Sequence, residues 1–269
     1  MAGLRADRSL AASVFSPTPE EQTMRSALFS ADNLEKESAE PGLRLQNSKM
    51  LKVELNGEVM ARTGAMVAYQ GQMQFQALGA GGVGKWIKQA ITKEGVPLMK
   101  VSGRGDLFLA DDAADIHLID LDQNDSLSIN GANVLAFEPT LAYDIKRVQG
   151  VGMLGGAGLF NCVFSGKGRL AVTTKGTPVV LTVDQPTFVD PQAAICWSAS
   201  LQTGYHRADQ LGLGTLIGRS TGEAFTMSFS GQGFVVVQPS ELPPGGLLGG
   251  QGQGQQSGGG GVLGGLLGG

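Results

Sequence analysis

A four-residue phrase, Ser-Gly-x-Gly, occurs three times in this chain at nearly equal spacing. The copies begin at Ser102, Ser165 and Ser230, so that 63 and then 65 residues separate them. Each copy lies between two short runs in which apolar residues alternate, such as 98–101 and 107–109 around the first. This pattern is typical of a β-hairpin turn, and its long period predicts an internal repeat.

The repeat predicts three tandem β-units, at about 43–112, 113–175 and 176–239. In the first unit, alternating runs at 51–55 and 58–62 flank Asn56-Gly57, which is typical of a type I′ hairpin turn. Glycine-rich connections precede each Ser-Gly-x-Gly phrase, at 79–84, 150–158 and 212–218. Helical periodicity in the body is limited to 85–92. We therefore expect an all-β fold with glycine-rich loops and one short helix.

Both ends of the chain differ in composition from this body. Residues 1–42 contain Pro17 and Pro19 and lack an amphipathic pattern, which predicts a mostly flexible N-terminal arm. Met24 within it is a second candidate for the start of translation. Residues 240–269 are dominated by Gly, Gln and Leu and predict a disordered tail. Gly-Leu-Leu-Gly-Gly occurs there twice, so docking of a protein partner through the tail stays open as an alternative to a solubilising role.

Charge and cysteine content restrict the compartment and the partners. The formal net charge is −4, which gives no general attraction to DNA. The two cysteines, Cys162 and Cys196, are flanked by apolar or aromatic residues, and we expect buried free thiols. No apolar run reaches the length of about 20 residues that a membrane span needs. We expect a cytoplasmic protein without a transmembrane segment or a signal peptide.

One glycine pattern matches a cofactor motif. The sequence from Gly79 to Gly84 fits the dinucleotide fingerprint G-x-G-x-x-G, after a candidate strand and before the candidate helix. A similar pattern recurs at Gly150, Gly152 and Gly155, and the chain lacks alternating βαβ units. We therefore expect no cofactor and no catalysis, and keep a nucleotide-binding enzyme as an alternative.

The sequence also gives little support for a metal site or a catalytic site. An acidic run lacks the glycine and distal glutamate of an EF-hand loop, and we interpret it as a solvated turn between repeats. The run comprises Asp111, Asp112, Asp115, Asp120, Asp122 and Asp125. His117 and His206 are isolated in the sequence, and we expect structural roles for both. No metal site is predicted.

The variable tips of the three phrases are Arg104, Lys167 and Gln232. Equivalent turns of a repeated fold would align along one edge, so these residues form a predicted binding rim. Arg104 and Lys167, with Arg169 nearby, would give this rim a positive charge suited to RNA or an acidic partner. Aromatic residues make up only 6% of the chain and do not recur beside the basic residues, which disfavours RNA.

Several segments together resemble the bacterial members of the altered-inheritance-of-mitochondria family. They are Met24 to Leu45, the alternating run at 50–55, Gly64-Ala65-Met66-Val67-Ala68-Tyr69, the glycine-rich connection, and Ser102-Gly103-Arg104-Gly105 before 107–110. The resemblance covers about residues 24–239. It implies three β-units like those of the tryptophan-binding RNA attenuator protein, as β-sandwich or short double-stranded β-helix units. It further implies a homotrimer or ring, a link to mitochondrial membrane organisation, and no catalytic motif.

These observations favour a non-catalytic, oligomeric scaffold or interaction protein. Edge strands of a repeated β-body must be covered, and association is a common way to cover them. A small-ligand-binding or RNA-binding regulator is the first alternative. The nucleotide-binding enzyme that would use Gly79 to Gly84 is the second.

Overall fold

The computed structural model describes residues 26–36, 41–78, 97–147, 160–206 and 226–240 of the chain. It divides into two units, Met1–Ala39 and Glu40–Gly269. The described part of the first unit forms two 3₁₀ turns, Ala27–Phe29 and Ala31–Asn33. Ser26 begins the first turn, because its Oγ accepts a hydrogen bond from the backbone N–H of Leu28 at 3.2 Å. The flexible arm over 1–42 stays a prediction.

The second unit is built from antiparallel sheets. The first sheet has seven strands, β1 (Gly42–Asn47), β2 (Met50–Arg62), β3 (Met66–Ala77), β4 (Leu98–Leu109), β5 (Asp115–Leu121), β7 (Val134–Phe137) and β10 (Gly168–Thr174). Their spatial order is β3-β4-β2-β7-β10-β5, with β1 added beside β2.

Two smaller sheets complete this unit. The second sheet consists of β6 (Ser126–Asn130), β8 (Ala142–Arg147), β9 (Phe160–Ser165), β11 (Val179–Val183), β13 (Ala194–Ser198) and β16 (Gly233–Val237). The third consists of β12 (Thr187–Val189), β14 (Gln202–His206) and β15 (Thr226–Ser230). The spatial order is β11-β16-β13-β6-β9-β8 in the second sheet and β12-β15-β14 in the third.

The all-β prediction is confirmed. Within the described residues the helical elements are three-residue 3₁₀ turns, the last of them at Gly131–Asn133. No helix there is long and apolar enough to cross a membrane. The predicted short helix at 85–92 lies outside the described residues. The three predicted unit boundaries stay a prediction, and both larger sheets draw strands from more than one predicted unit.

The hairpin interpretation of Ser-Gly-x-Gly is wrong. The first phrase lies inside the continuous strand β4. The second joins β9 to β10, and the third joins β15 to β16, yet neither pair of strands is hydrogen-bonded together. β9 lies between β6 and β8, whereas β10 lies between β5 and β7 in another sheet. The phrase is therefore a bend at which an extended chain continues, or passes from one sheet to the next.

The predicted type I′ turn at Asn56-Gly57 is also wrong. Both residues lie within β2, and their partners on β4 are Arg104 and Gly103. The alternation on each side of Asn56-Gly57 belongs to one strand, because pairing with β4 runs without a break from Leu51 to Arg62.

Three apolar clusters hold the sheets together. One lies on the first sheet around Val53, Leu107 and Leu109. A second lies between the first and second sheets, where the rings of Phe137 and Phe164 are 4.9 Å apart. The third joins the second and third sheets around Trp197, Phe229 and Met227. β3 contributes no fully buried side chain to these clusters, and its place at one end of the first sheet comes from its pairing with β4.

Candidate interaction surface

Three neighbouring long strands of the first sheet, β2, β4 and β3, bend at the same position along their length. The bend passes through Gly57 of β2, Gly103 and Gly105 of β4, and Gly71 of β3, all at positive φ. In the β-sheet register, one row across the bend contains Leu55, Gly105 and Gly71. A second row, two residues further along each strand, contains Gly57, Gly103 and Met73. In these two rows every adjacent pair includes at least one glycine, whereas the row between them, Asn56, Arg104 and Gln72, contains none.

Close backbone contact explains these glycines. A Cβ at Gly105 would collide with the backbone oxygen of Gln70, and one at Gly103 would collide with that of Gln72. A Cβ at Gly71 would collide with the backbone oxygen of Arg104 and would lie 3.0 Å from the Cα of Gly105. The strands therefore approach too closely at the bend for side chains on both of them.

Two aromatic rings show how sharp this bend is. Tyr69 and Phe75 lie six residues apart on β3, and an extended strand of that length spans about 20 Å. Their ring centroids are nevertheless 5.2 Å apart, in an edge-to-face arrangement. The apolar face of β3 is thus on the inside of the bend.

Among the described residues, β3 lies at one edge of the first sheet and is exposed on both faces. Eleven of its twelve residues are exposed, and Met73 is half-buried. Exposed apolar side chains include Met66, Tyr69 at 47% and Phe75 at 38%. The opposite face has glutamine at every second position, at Gln70, Gln72, Gln74 and Gln76.

This edge lacks the usual protection against pairing with another chain. Natural edge strands are blunted by charged residues, by proline or by short length. β3 is twelve residues long and contains no charged residue and no proline. In the part of the chain that the structure describes, the irregularity on this strand is a register shift between Met66 and Ala68. The strand therefore fits a surface that another chain covers.

Arg104 lies on the outer, polar face of the bend. Its side chain is exposed, and its Nη2 is 3.3 Å from Oδ1 of Asn56 on β2. A shallow groove of about 660 Å³ lies beside it, between β3 and β4. The groove is lined by Tyr69, Gly71, Gln72, Met73, Gln74, Ser102, Gly103 and Arg104.

All three residues of the predicted rim are exposed, and each lies at a bend of the chain. Arg104 lies within strand β4, Lys167 lies between β9 and β10, and Gln232 lies between β15 and β16. Their alignment along one rim stays a prediction. Arg169 has a structural role instead, because it donates to Asp120 at 2.6 and 3.0 Å and to the backbone oxygen of Leu43 at 3.2 Å.

Most of the acidic run belongs to ion pairs and turns. Lys49 is 2.7 Å from Asp115 and lowers the pKa of that carboxyl group. Arg169 likewise lowers the pKa of Asp120. Asp122 donates its backbone N–H to the Asp125 carboxylate at 2.8 Å, within a turn. No group of three or more potential metal ligands occurs among the described residues.

A cleft of about 310 Å³ lies near the end of β2. The Arg62 side chain at this cleft pairs with Asp111 at 2.7 Å and donates to the backbone oxygens of Val134, at 2.9 Å, and Ala132. Burial lowers the pKa of Arg62. These contacts connect the end of β2 to the start of β7, so Arg62 has a structural role.

Both cysteines are buried free thiols, as the sequence predicts. Burial raises the pKa of each thiol to about 12. Unfolded thiols ionise near pH 9, so the folded state is disfavoured progressively as the pH rises from 9 towards 12.

We expect the free energy of unfolding to fall by about 2 kcal/mol per thiol between pH 8 and pH 10.5. Urea unfolding at the two pH values measures this change. Burial also raises the pKa of Tyr143 and Tyr205, which acts in the same direction. The double variant Cys162→Ala/Cys196→Ala isolates the thiol contribution, and an unchanged pH dependence in that variant would contradict the prediction.

Some predicted features lie outside the described residues. They include the glycine pattern from Gly79 to Gly84, its recurrence at 150–155, and the tail from residue 241 onwards. The His206 side chain is not described either. His117 lies on β5, where its Nε2 is 3.0 Å from Oγ1 of Thr174.

Comparison with known proteins gives a family and a similar fold. The family model described as "Mitochondrial biogenesis AIM24" matches residues 43–240. A crystal structure of a Streptococcus pyogenes protein from a structural genomics consortium is 23% identical, with a TM-score of 0.58. The match covers 75% of this chain and 92% of that one. No curated protein matches the chain significantly.

Proposed function

This chain belongs to the mitochondrial biogenesis AIM24 family, and on that premise we propose that it is a non-catalytic scaffold that works by associating with other protein chains. The observation that carries the proposal is the β3 edge, which is long, uncharged and exposed on both faces. An edge of this kind adds a strand from another chain through its main-chain hydrogen bonds. The exposed rings of Tyr69 and Phe75 would supply apolar contact area.

The proposal includes three further expectations from the sequence. They are a cytoplasmic location, β-units like those of the attenuator protein, and assembly into a trimer or ring. The resemblance to the family supports the last two.

We expect the purified protein to be an oligomer at micromolar concentration, as measured by light scattering. Phe75→Lys should shift the population towards monomer, because it places a charge on the apolar face of β3. Phe234→Lys is the matched control, because Phe234 is 36% exposed compared with 38% for Phe75 and lies on β16 in another sheet. The two variants should melt at similar temperatures.

A wild-type protein that is monomeric throughout this range would contradict self-association. Equal loss of the oligomer in both variants would show that the oligomer contact is not made specifically by β3.

A ligand-binding or RNA-binding regulator is the second candidate, supported by the groove beside Arg104. Gel shifts with pooled RNA at several salt concentrations test it, since phosphate contacts weaken steeply as salt rises. Arg104→Gln should then reduce binding and its salt dependence. The absence of any shift at low salt would exclude RNA.

A further inference from the structure

We propose that copies of this chain join head to tail, with β12 of one copy pairing antiparallel with the first half of β3 of the next, and Phe188 opposite Tyr69. This inference rests on the proposed scaffold function and names the strand that covers the β3 edge. It follows from two contacts within the chain that share one strand order and one register, and that predict a third contact between copies.

The two larger sheets are joined in the same way. In the first sheet, three strands of the first predicted unit, β3-β4-β2, are followed by three of the second, β7-β10-β5. In the second sheet, three strands of the second unit, β8-β9-β6, are followed by three of the third, β13-β16-β11. The third sheet consists of β14-β15-β12, all from the third unit, and among the described residues β12 lies at its edge. These strands therefore correspond to the first half of such a joined sheet.

The Ser-Gly-x-Gly phrases identify equivalent residues on the two sides of each contact. Two residues before Ser102, Ser165 and Ser230, the pairing partners are Met60, Ser128 and Phe188. Five residues after the same serines, the partners are Tyr69, Phe137 and Trp197. A register shift then follows in all three ladders, just beyond Ala68, Ala136 and Cys196. The three units therefore share one pairing register.

Both contacts within the chain join these equivalent residues. Met60 lies opposite Phe137 where the first sheet passes from one unit to the next. Ser128 lies opposite Trp197 at the corresponding place in the second sheet. All four side chains are buried. The contact from each unit to the following unit thus has the same register twice.

The remaining member of each set is Phe188 on β12 and Tyr69 on β3, and both side chains are exposed. Within one chain these two strands belong to separate sheets, so the matching contact needs a second copy. The shared register places Phe188 opposite Tyr69 of that copy and Val189 opposite Ala68. Neither β12 nor residues 66–70 include a charge, so the strands meet without like-charge opposition.

The aromatic pair on β3 has a counterpart at a contact within the chain. The Tyr69 and Phe75 ring centroids are 5.2 Å apart, with the rings inclined at 62°. Those of Phe137 and Tyr143 are 5.0 Å apart, with the rings inclined at 64°. Phe137 is buried where the first two units meet, whereas Tyr69 is exposed. Phe188 of another copy would therefore add a third ring to the exposed pair.

A contact of this kind joins two different surfaces. Each added copy brings a new β12 edge and a new β3 edge, so the assembly grows until the last copy meets the first. A heterologous contact that closes in this way gives a ring. This result agrees with the trimer or ring that the family resemblance implies.

Two blocking variants of the full-length protein test the head-to-tail contact by light scattering. Tyr69→Lys should block the β3 side and Phe188→Lys the β12 side, so each variant alone should be mostly monomeric. An equimolar mixture should form dimers and nothing larger, because the two variants can make only one intact contact with each other. Val180→Lys is the matched control and should keep the wild-type assembly, because Val180 is exposed on β11, at an edge of the second sheet.

The three substituted side chains are exposed, so these variants should fold. Because the contact forms between copies, substitutions at Phe188 should weaken assembly without changing the stability of the dissociated chain. Thermal unfolding of each variant at a concentration that dissociates the wild type checks this expectation.

Disulfide cross-linking tests the register. With Phe188 opposite Tyr69, Thr187 lies opposite Gln70. The double variant Thr187→Cys/Gln70→Cys should therefore form disulfide-linked oligomers under mild oxidation. Thr187→Cys/Gln72→Cys should not, because residue 72 lies about 7 Å further along the strand. The buried native thiols provide an unreactive background.

The outcomes separate this inference from the proposed function. A monomeric wild type overturns both. An oligomer that Phe188→Lys leaves intact, or an equimolar mixture that stays monomeric, overturns the contact between β12 and β3 and leaves the scaffold proposal in place. Cross-linking that is equally strong through positions 70 and 72 overturns the register.

Discussion

Replacing Gly105 with alanine should destabilise the folded protein by about 3–5 kcal/mol, because two unfavourable effects combine at this position. Its φ of +138° is one that side-chain-bearing residues rarely adopt. The added Cβ would also collide with the backbone oxygen of Gln70 on the adjacent strand. The strand backbones would have to separate, and the bend shared by β2, β3 and β4 would be lost.

Gly57→Ala is the matched control for Gly105→Ala. Gly57 has a similar φ of +133° in the neighbouring strand, but nothing lies within 4 Å of an added Cβ. Only the backbone conformation is penalised there, at about 1–3 kcal/mol. Urea unfolding of both variants measures the difference. Equal destabilisation would show that close strand contact at Gly105 contributes nothing.

The second large effect is expected for Phe137→Ala, which should cost about 3–5 kcal/mol of stability. Phe137 is fully buried on β7 of the first sheet. Its ring lies 4.9 Å from that of Phe164 on β9 of the second sheet and 5.0 Å from that of Tyr143 on β8. Truncation would leave a cavity between two sheets that cannot easily move together.

Phe188→Ala is the control for Phe137→Ala, because the Phe188 side chain is 59% exposed on β12. We expect it to change the free energy of unfolding by less than about 0.5 kcal/mol. Thermal and urea unfolding of the two variants test the difference. A loss at Phe137 no larger than that at Phe188 would contradict a joint core of the first two sheets.

The alternation of apolar residues in the sequence predicted the strand positions well. The predicted connections between the strands were wrong at several glycines. The runs at 51–55 and 58–62 lie within β2, and those at 98–101 and 107–109 lie within β4. At Asn56-Gly57 and at the three Ser-Gly-x-Gly phrases, glycine indicated a reversal, and the structure shows a bend instead. Glycine permits positive φ in both cases, and only long-range pairing distinguishes them. β4 continues through its glycines because β2 and β3 flank it on both sides of the bend.

The exposed surface of β3 is another feature that local sequence does not decide. The alternation of Gln70, Gln72, Gln74 and Gln76 with Tyr69, Met73 and Phe75 is visible in the sequence. Such alternation is typical of a strand with one polar and one apolar face, although the glycine at 71 favours two short strands where the structure has one. It does not say whether the apolar face is covered, because that depends on whether the strand is central or at an edge. The predicted rim at Arg104, Lys167 and Gln232 came from sequence equivalence alone, and its alignment stays a prediction.

The sequence by itself therefore determined the all-β class, the positions of most strands, the buried thiols at Cys162 and Cys196 and the family resemblance. These features depend on local periodicity and composition, which neighbouring residues encode. Only the tertiary structure decided that the glycine phrases are bends, that Arg62 and Arg169 have structural contacts, and that β3 is a free edge. Each of these depends on partners far away in the chain: the oxygen that Gly105 approaches belongs to Gln70, and the carboxylate that holds Arg169 belongs to Asp120. Long-range strand order fixes such contacts, and no local pattern specifies it.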